Sequence, residues 1–430
     1  MLRQVFDLHL VVFLSICQNQ IGFQSKDLVN LDVFGSSNAR DGVKFGFWSD
    51  TIFGLSNDID VEVVQKLSPT RYQGNDAHDA KLVRYLCVMK APLRFAVVGC
   101  GHIGKRHVAM IQGDTRGELV AVIDLAWSSE GRGEVPARKW ASEARAFTSL
   151  SDALNVLNFD VVSVATPNGS HVELACEAVA AGCHVVLEKP MGLTSTSIEN
   201  LKKLAEEAGV KVFGVMQNRY APAAAWLKSA HEAREFGELL QVHVQCLWNR
   251  DERYYQRGSW RGTMEEDGGP LFTQFSHFLD ILLWVFGPVE VEDVHFYNQV
   301  HPYTEFEDGG LVRFRLEQGG WGTFTFSTAA PHSNFESSMT VLGRSGTVRI
   351  GGQYMNRLEE FQLPESNRPD LQQPPPPNDY GGYTGSAANH HHVYDNVFNV
   401  LLGGDDVATS IEEGLAVVRV VEEIHAKGRI

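Results

Sequence analysis

The cysteines of this chain form no recognisable pairs. No two of them stand in a CxxC spacing, and there are only six in 430 residues: Cys17, Cys87, Cys100, Cys176, Cys183 and Cys246. Neither a zinc site built on cysteine pairs nor a disulfide-braced scaffold is therefore indicated. Scattered thiols are typical of a reducing compartment, so we expect a cytoplasmic protein without a bound metal ion.

Positive charge and long apolar runs are also scarce. The 37 Lys and Arg residues face 53 Asp and Glu residues, and the formal net charge is -16. Nucleic acids and anionic membranes are recognised by clustered Lys and Arg, so neither is an expected partner. No run approaches the roughly 18 to 20 apolar residues of a membrane-spanning helix. The opening stretch MLRQVFDLHLVVFLSICQNQIG is interrupted by Asp7 and His9 and lacks a small-x-small cleavage site, so it does not match a signal peptide.

What is present suits a globular protein of two domains, with 43% hydrophobic and 21% charged residues. From Leu93 to about Met216, apolar runs alternate with helical stretches, which is typical of a parallel, doubly wound sheet. Later strands alternate apolar and polar residues, which favours a mostly antiparallel sheet. We predict an α/β fold, with a Rossmann domain over residues 92–215 followed by an α+β domain with a large open sheet over residues 216–430.

The first 91 residues show no sustained helical or strand period, and we expect a poorly ordered extension there. Met89 begins MKAPLRFAVVGCG, four residues before the first predicted strand of the Rossmann domain. Translation from Met89 would place that strand at the usual distance from an N-terminus. Residues 1–88 would then be an upstream reading extension or an appendage, and a small fused segment is the alternative.

The stretch RFAVVGCGHIGKRHVAMI contains GxGxxG between a predicted strand and a predicted helix. In such a turn the glycines permit a tight bend, close approach of a pyrophosphate and close packing of helix on strand. Asp124 ends the next strand, 25 positions after Gly99, near the spacing at which an acid meets the ribose 2′-hydroxyl. A carboxylate there repels the 2′-phosphate of NADP, so NAD is the expected cofactor. The predicted contacts in this part of the chain are Gly99, Gly101, His102, Ile103, Gly104 and Asp124.

Two further motifs, ATPNGSH and EKP, follow later predicted strands, where ligands of open α/β sheets bind. They add six cofactor-site candidates: Thr166, Pro167, Asn168, His171, Glu188 and Lys189. A lysine at a strand end is usually a solvated surface charge. The apolar HVVLE before Lys189 and Pro190 after it place this lysine at the crevice, where desolvation would lower its pKa for proton transfer.

Together, GCGHIGKRH, Asp124, TPNGSH, AGCHVVLEKP and GGPLFTQFSHFLD resemble the Gfo/Idh/MocA oxidoreductases over about residues 92–427. The resemblance implies oxidation of a sugar or cyclitol hydroxyl by NAD or NADP, and an open sheet that forms the interface of a homodimer or homotetramer. It implies that Lys189 is the catalytic lysine and that His277 meets the reacting hydroxyl. Family members often carry an Asp four residues before this histidine, whereas this chain has Thr273. From the residues alone, a hydrogen-bonded core histidine is an equal interpretation of His277.

The segment WNRDERYYQRGSWRG concentrates arginine and aromatic residues, which bind phosphates and stack on sugars and bases. A solvated loop with arginines paired to Asp251 and Glu252 is the alternative. The cluster ANHHHVYDN would line the same pocket, with Asn389 capping its helix, and three adjacent histidines on a helix cannot share one metal ion. The predicted substrate contacts are Lys189, Asn218, Arg219, Arg253, Tyr254, Arg257, Trp260, Thr273, His277 and His391.

These features predict an NAD-dependent dehydrogenase that oxidises a secondary hydroxyl of a sugar, specifically of a nucleotide-linked sugar. One alternative keeps the chemistry but changes the substrate to a free cyclitol, a dihydrodiol or a tetrapyrrole. The other is a non-catalytic sensor on the same fold. The presence of Lys189 and His277 favours the enzyme, and the arginine-rich segment favours the nucleotide-linked substrate.

Overall fold

The computed structural model of the chain describes residues 32–36, 44–48, 91–256, 258–373 and 387–428. It divides into two compact units, Met1–Met89 and Lys90–Ile430. In the first unit the described residues are two antiparallel strands, β1 (Asp32–Ser36) and β2 (Lys44–Trp48). The predictions of a poorly ordered extension and of a start at Met89 otherwise fall outside the described residues.

The second unit begins with a parallel sheet whose order is β5-β6-β4-β3-β7-β8-β9. Only the short edge strand β5 runs antiparallel to its neighbour among these seven strands of the described chain. The elements, in chain order, are β3 (Leu93–Val98), α1 (His102–Gln112), β4 (Gly117–Ile123), β5 (Glu134–Val135), β6 (Arg145–Phe147), α2 (Leu150–Leu154), β7 (Val161–Val164), α3 (His171–Ala180), β8 (His184–Leu187), α4 (Ser195–Ala208) and β9 (Val212–Gly214).

A mostly antiparallel sheet follows, in the order β11-β12-β13-β10-β14-β15-β16. Within it only β10 and β13, among the described strands, pair in parallel. The remaining elements are α5 (Pro222–Glu232), β10 (Leu239–Leu247), α6 (Pro270–Thr273), α7 (Ser276–Phe286), β11 (Val289–Tyr297), β12 (Gly309–Leu316), β13 (Trp321–Ser327), β14 (Glu336–Gly343), β15 (Gly346–Gly351), β16 (Arg357–Gln362), α8 (His390–Phe398) and α9 (Ile411–Lys427).

The alternation along the second sheet separates a core face from an exposed face. In β10, Val242 and Val244 are buried, whereas Gln241 and His243 are exposed. Residues of α5, α7 and α9 join the core on the buried side. A Rossmann domain followed by an α+β domain with an open sheet is therefore confirmed. No helix in the part of the chain that the structure describes is long and apolar enough to cross a membrane.

The Rossmann sheet is covered on both faces, and one of its helices comes from the far end of the chain. Helices α2, α3 and α4 pack with one face, while α1 and α8 share an apolar cluster with the other. Within that cluster Phe398 meets Phe95 edge-on, with ring centroids 5.6 Å apart. Helix α8 thus belongs to the core of the cofactor domain, although the predicted boundary assigned residues 216–430 to the second domain.

Candidate functional site

A cleft of about 990 Å³ opens at the carboxyl ends of the parallel strands. Strands β4, β3, β7 and β8 lie side by side, and each is followed by a residue of the cleft: Asp124, Gly99, Thr166 and Glu188. The first strand of the sheet, β3, lies between β4 and β7, so the chain order reverses here. Ligands of open α/β sheets bind at this reversal.

The three glycines of the turn have different surroundings. Gly99 has φ +85°, and a Cβ on it would lie 2.6 Å from the Ala165 carbonyl oxygen, while a Cβ on Gly104 would lie 1.8 Å from the Gly99 oxygen. A Cβ on Gly101 would meet no atom within 4 Å. A side chain on Gly99 or Gly104 would therefore clash with the backbone of this tight turn. Gly101 leaves open space at the N-terminus of α1, where a pyrophosphate would fit.

Asp124 organises the rim of this turn as well as facing the cleft. Its Oδ2 accepts a hydrogen bond from the Cys100 amide at 2.9 Å, and its Oδ1 accepts one from the Ala126 amide at 2.9 Å. Asp124, His102 and Ile103 all line the cleft. A carboxylate fixed in this position fits the hydroxyls of a ribose ring.

The loop after β7 joins the two domains. Asn168 Nδ2 donates to the Asp267 carbonyl oxygen at 2.8 Å and to Thr273 Oγ1 at 2.7 Å, both in the second domain. The buried His171 ring lies between the carbonyl oxygens of Pro190, 2.7 Å away, and Thr166, 3.0 Å away. Burial is the largest influence and lowers the pKa of His171, whereas the two carbonyls raise it; the ring packs between this loop and the EKP segment.

Lys189 is held at the floor of the cleft by the second domain. Its Nζ donates to the Thr273 carbonyl oxygen at 2.5 Å. Burial lowers the pKa of Lys189 and the nearby Arg250 charge acts in the same direction, whereas Glu188 and Asp267 act against it. A partly desolvated lysine of this kind gives up its proton more readily than a surface lysine.

His277 also lines the cleft, in the first turn of α7. It is buried, its Nε2 lies 3.4 Å from Gln217 Nε2, and its Nδ1 has no hydrogen-bond partner in the described part of the chain. Burial, followed by the Lys189 charge, holds the pKa of His277 well below its usual range. The imidazole is therefore held in its neutral form, with one ring nitrogen beside Gln217 and the other without a partner in the described part of the chain.

Behind the cleft, Glu188 is buried in a hydrogen-bond network that the sequence did not predict. His107 Nε2 lies 3.1 Å from Glu188 Oε1, and His107 Nδ1 lies 2.8 Å from the Tyr394 hydroxyl. His390 Nε2 lies 3.6 Å from the same Glu188 oxygen. Burial raises the pKa of Glu188, but the hydrogen bond with His107 and the nearby His390 outweigh it and hold the pKa well below its usual range. An anionic Glu188 thus ties α1 and α8 to the strand end that carries Lys189.

The arginines of the cleft are Arg250 and Arg261. Their guanidinium carbons lie 4.9 Å and 4.7 Å from the centroid of the Tyr254 ring, so Tyr254 is in contact with both cations. Trp260, Tyr254 and Thr273 also line the cleft, as predicted. Arg253, the predicted contact, does not: its side chain is 62% exposed and pairs with Asp251 at 2.7 Å. Arg257 lies outside the described residues.

Three other predicted substrate contacts do not line the cleft. Arg219 is buried, with Asp280 Oδ1 at 2.5 Å and Glu413 Oε1 at 2.5 Å from its guanidinium nitrogens. This pairing explains why it is not available to a substrate, and it agrees with a structural role for Asp280. Asn218 is buried in the same turn, and His391 is exposed.

Arg250 belongs to the predicted arginine-rich segment but was not among the predicted substrate contacts, although a signal for its direction was present. The core-facing alternation of β10 continues beyond the strand through Trp248 to Arg250, both of which are buried. Period-two extrapolation would have turned Arg250 inward. No such rule applies to the turns that carry Arg253 and Arg261, where side-chain direction follows from tertiary packing. The predicted cap residue Asn389 precedes α8, but its side chain makes no capping hydrogen bond.

Two models of known protein families match this chain. A model described as an oxidoreductase family with an NAD-binding Rossmann fold matches residues 93–216. A model described as the GFO/IDH/MocA C-terminal domain matches residues 225–349. Together the two models cover more than half of the chain.

Solved structures and curated proteins give the same picture. The WlbA dehydrogenase from Bordetella pertussis, in complex with NADH and UDP-GlcNAcA, is 35% identical, with a TM-score of 0.67 over 78% of this chain and 96% of that one. The corresponding enzyme from Chromobacterium violaceum, with the same two ligands, is 30% identical, with a TM-score of 0.68 over 79% of this chain and 94% of that one. The inositol 2-dehydrogenase of Salmonella typhimurium is 25% identical over 53% of this chain and 65% of its own length.

Proposed function

Because the chain belongs to the Gfo/Idh/MocA oxidoreductase family, we propose that it is an NAD-dependent dehydrogenase that oxidises a secondary hydroxyl of a nucleotide-linked sugar. One observation carries the proposal: a single cleft contains the glycine turn with Asp124 and, beside them, Lys189 and His277. The complexes of the two WlbA enzymes with NADH and UDP-GlcNAcA support this substrate class.

NAD would lie along the carboxyl ends of β3, β4, β7 and β8. The amides at the N-terminus of α1, beside Gly101, would bind its pyrophosphate. Asp124 would accept hydrogen bonds from the ribose hydroxyls and would disfavour the 2′-phosphate of NADP. Thr166, Pro167 and Asn168 continue the same wall toward Lys189.

When bound, the nicotinamide ring supplies the hydride acceptor. The substrate hydroxyl must lose its proton as the C–H bond breaks, so a base must lie within hydrogen-bond reach of that oxygen. Lys189 and His277 face the cleft, and the lowered pKa of each favours the neutral form that accepts a proton. We assign proton removal to these two residues jointly.

The contacts of Arg250, Tyr254 and Arg261 favour an anionic substrate. Two guanidinium groups held against one aromatic ring are fixed in orientation, and arginine binds phosphate and carboxylate groups in a bidentate manner. A diphosphate or a sugar carboxylate would form charge-assisted hydrogen bonds with these guanidinium groups, whereas a neutral free sugar offers them no opposite charge.

The exposed face of the second sheet would join two copies of the chain. Leu311 on β12 and Trp321 on β13 are 50% and 47% exposed on this face. In the Gfo/Idh/MocA family the open sheet often forms the oligomer interface, and these two side chains lie on that face. We expect a homodimer or homotetramer in sedimentation experiments, and Trp321→Glu should weaken it. A monomer at micromolar concentration would contradict this part of the proposal.

The proposed activity is tested by incubating the protein with NAD and a panel of nucleotide sugars while the absorbance of NADH is followed. Lys189→Met should abolish turnover of an accepted substrate and leave the dissociation constant for NADH within a few fold. Turnover by Lys189→Met at the wild-type rate would refute the assignment. Tight binding of a nucleotide sugar without any turnover would favour the sensor.

The substrate class is tested at the arginines. Arg261→Met should raise the KM for a nucleotide sugar about tenfold or more, since a charge-assisted hydrogen bond contributes about 1.5–3 kcal/mol. Arg253→Met is the matched control, because this arginine is exposed and paired with Asp251, and it should leave KM unchanged. Equal effects of the two substitutions, or turnover of free sugars alone, would contradict the nucleotide-linked substrate.

A further inference from the structure

The acceptor for the Lys189 ammonium is a main-chain carbonyl whose position depends on a side chain. Lys189 Nζ donates to the carbonyl oxygen of Thr273, the last residue of the four-residue helix α6. So short a helix contributes little rigidity of its own. Something else must therefore hold Thr273 in place against Lys189.

Asp267 supplies that hold. The Thr273 hydroxyl donates to Asp267 Oδ1, and the Gly262 amide donates to Asp267 Oδ2 at 2.9 Å. The Asp267 main-chain oxygen accepts a further hydrogen bond from Asn168 Nδ2 at 2.8 Å. Asp267 has no exposed surface. A carboxylate with a donor on each oxygen is fixed in one orientation, and here it is fixed beside Lys189.

We propose that Asp267 is a positioning residue for Lys189, an inference that rests on the proposed function. Through the Thr273 hydroxyl it fixes the carbonyl that binds the ammonium, and its negative charge favours the protonated lysine. Asp267 touches neither the substrate nor the cofactor in this assignment. It acts only through Thr273 and through its electrostatic effect on Lys189.

Asp267 is one of three charged groups in the described part of the chain that act on the pKa of Lys189. Glu188 and, more weakly, Asp267 favour the protonated lysine, and Arg250 opposes it. His171 and His277 are neighbours whose own pKa values burial lowers.

Around Asp267 itself, burial is the largest influence and raises the pKa of the carboxyl overall. The hydrogen bonds from Thr273 and Gly262 and the charges of Arg261 and Lys189 offset part of this rise. Tyr255 also faces Asp267, and burial first and then this charge raise the pKa of Tyr255. Asp267 thus has two cationic neighbours, Lys189 and Arg261, and is placed to affect the proton affinity of the lysine.

Asp267→Asn removes the charge but retains the shape of the side chain. Without the negative charge, the pKa of Lys189 should fall, so the neutral lysine should form at lower pH. We expect the rising limb of kcat/KM against pH to move down by about one to three pH units, as for a charge roughly 12 to 4 Å away at an effective dielectric constant near 20. The rate at which cyanate carbamylates Lys189, followed by peptide mass spectrometry on the protein without substrate, should show the same shift.

The matched control is Glu265→Gln, which removes an exposed charge two residues from Asp267 and should move neither profile. Thr273→Val tests the positional part: it keeps the Asp267 charge but severs the hydroxyl bridge. It should lower kcat at least tenfold with little change in KM, and Thr273→Ser should restore most of the rate. This pair also provides the test if Asp267→Asn fails to fold.

An Asp267→Asn protein that folds but keeps the wild-type carbamylation midpoint would overturn the electrostatic part. Wild-type kcat in Thr273→Val would overturn the positional part. The carbamylation profile needs no substrate, so it tests the role of Asp267 even if no nucleotide sugar is oxidised. A lack of turnover with every sugar would count against the proposed function alone.

Discussion

The open space at Gly101 predicts a substitution that damages cofactor binding and leaves the fold intact. A Cβ at this residue would meet no atom of the described protein within 4 Å. The φ angle of -69° is accessible to alanine. Gly101→Ala should therefore fold normally and gain up to about 0.4–1 kcal/mol, because alanine restricts the unfolded chain. The added methyl group would instead occupy the space into which the pyrophosphate must fit.

We expect the dissociation constant for NADH to rise at least tenfold in Gly101→Ala, which corresponds to about 1.4 kcal/mol. Titration calorimetry gives the affinity, and thermal unfolding without cofactor gives the stability. Gly104→Ala should behave in the opposite way, because its Cβ would lie 1.8 Å from the Gly99 oxygen and the turn itself must move. That variant should unfold at a lower temperature even without cofactor.

Gly403→Ala provides the control, since a Cβ there also meets no atom within 4 Å and the residue does not line the cleft. It should gain a similar amount of stability, up to about 0.4–1 kcal/mol, and leave the NADH affinity unchanged. Wild-type affinity for NADH in Gly101→Ala would refute the placement of the pyrophosphate beside this glycine. Unfolding of Gly101→Ala would refute the claim that the space there is free.

Four further outcomes are expected. Asp124→Asn should narrow or invert the preference for NAD over NADP measured by calorimetry, and tighter binding of NADP by the unmodified protein would contradict the reasoning. Arg219→Met should destabilise the fold by about 3–5 kcal/mol because it leaves the Asp280 carboxylate buried without its partner, while the KM of the folded fraction stays unchanged. Joint replacement of Arg219 and Asp280 by Met and Leu should cost less than Arg219→Met alone, and a larger loss in chemical denaturation would count against this. A chain that starts at Met89 should bind NADH as the full chain does, because β3 begins at Leu93, and weaker binding would show that the preceding residues contribute.

The sequence predicted the parts of the site that depend on local geometry. The glycine turn and Asp124 follow from a strand, a turn and a helix in succession, and Lys189 follows from a strand end. The flanking residues alone determine where each of these side chains lies, so it can be predicted from a single sequence.

The features that the sequence did not predict depend on contacts between segments far apart in the chain. Arg219 reads as a free cation until Asp280 and Glu413 are placed beside it. Asp267 reads as an ordinary loop acid until α6 brings Thr273 into contact with it. Hydrophobic period and motif spacing carry no information on such pairings. Of these features, only the inward orientation of the Arg250 side chain could have been predicted from the sequence, by extending the alternation of β10.

The return of α8 to the Rossmann sheet bears on how the protein is made on the ribosome. Phe95 and Val108 bury part of their surface against Tyr394 and Phe398, which are synthesised about 300 residues later. At roughly 5–20 residues per second, the interval between Met216 and Phe398 is on the order of 10–40 s. During this interval one apolar face of the nascent cofactor domain would be uncovered, and Glu188 would not yet have His390 beside it. A chaperone that binds exposed apolar surface would have its longest opportunity during this interval, and the cofactor could bind to the completed fold only after α8 has been released.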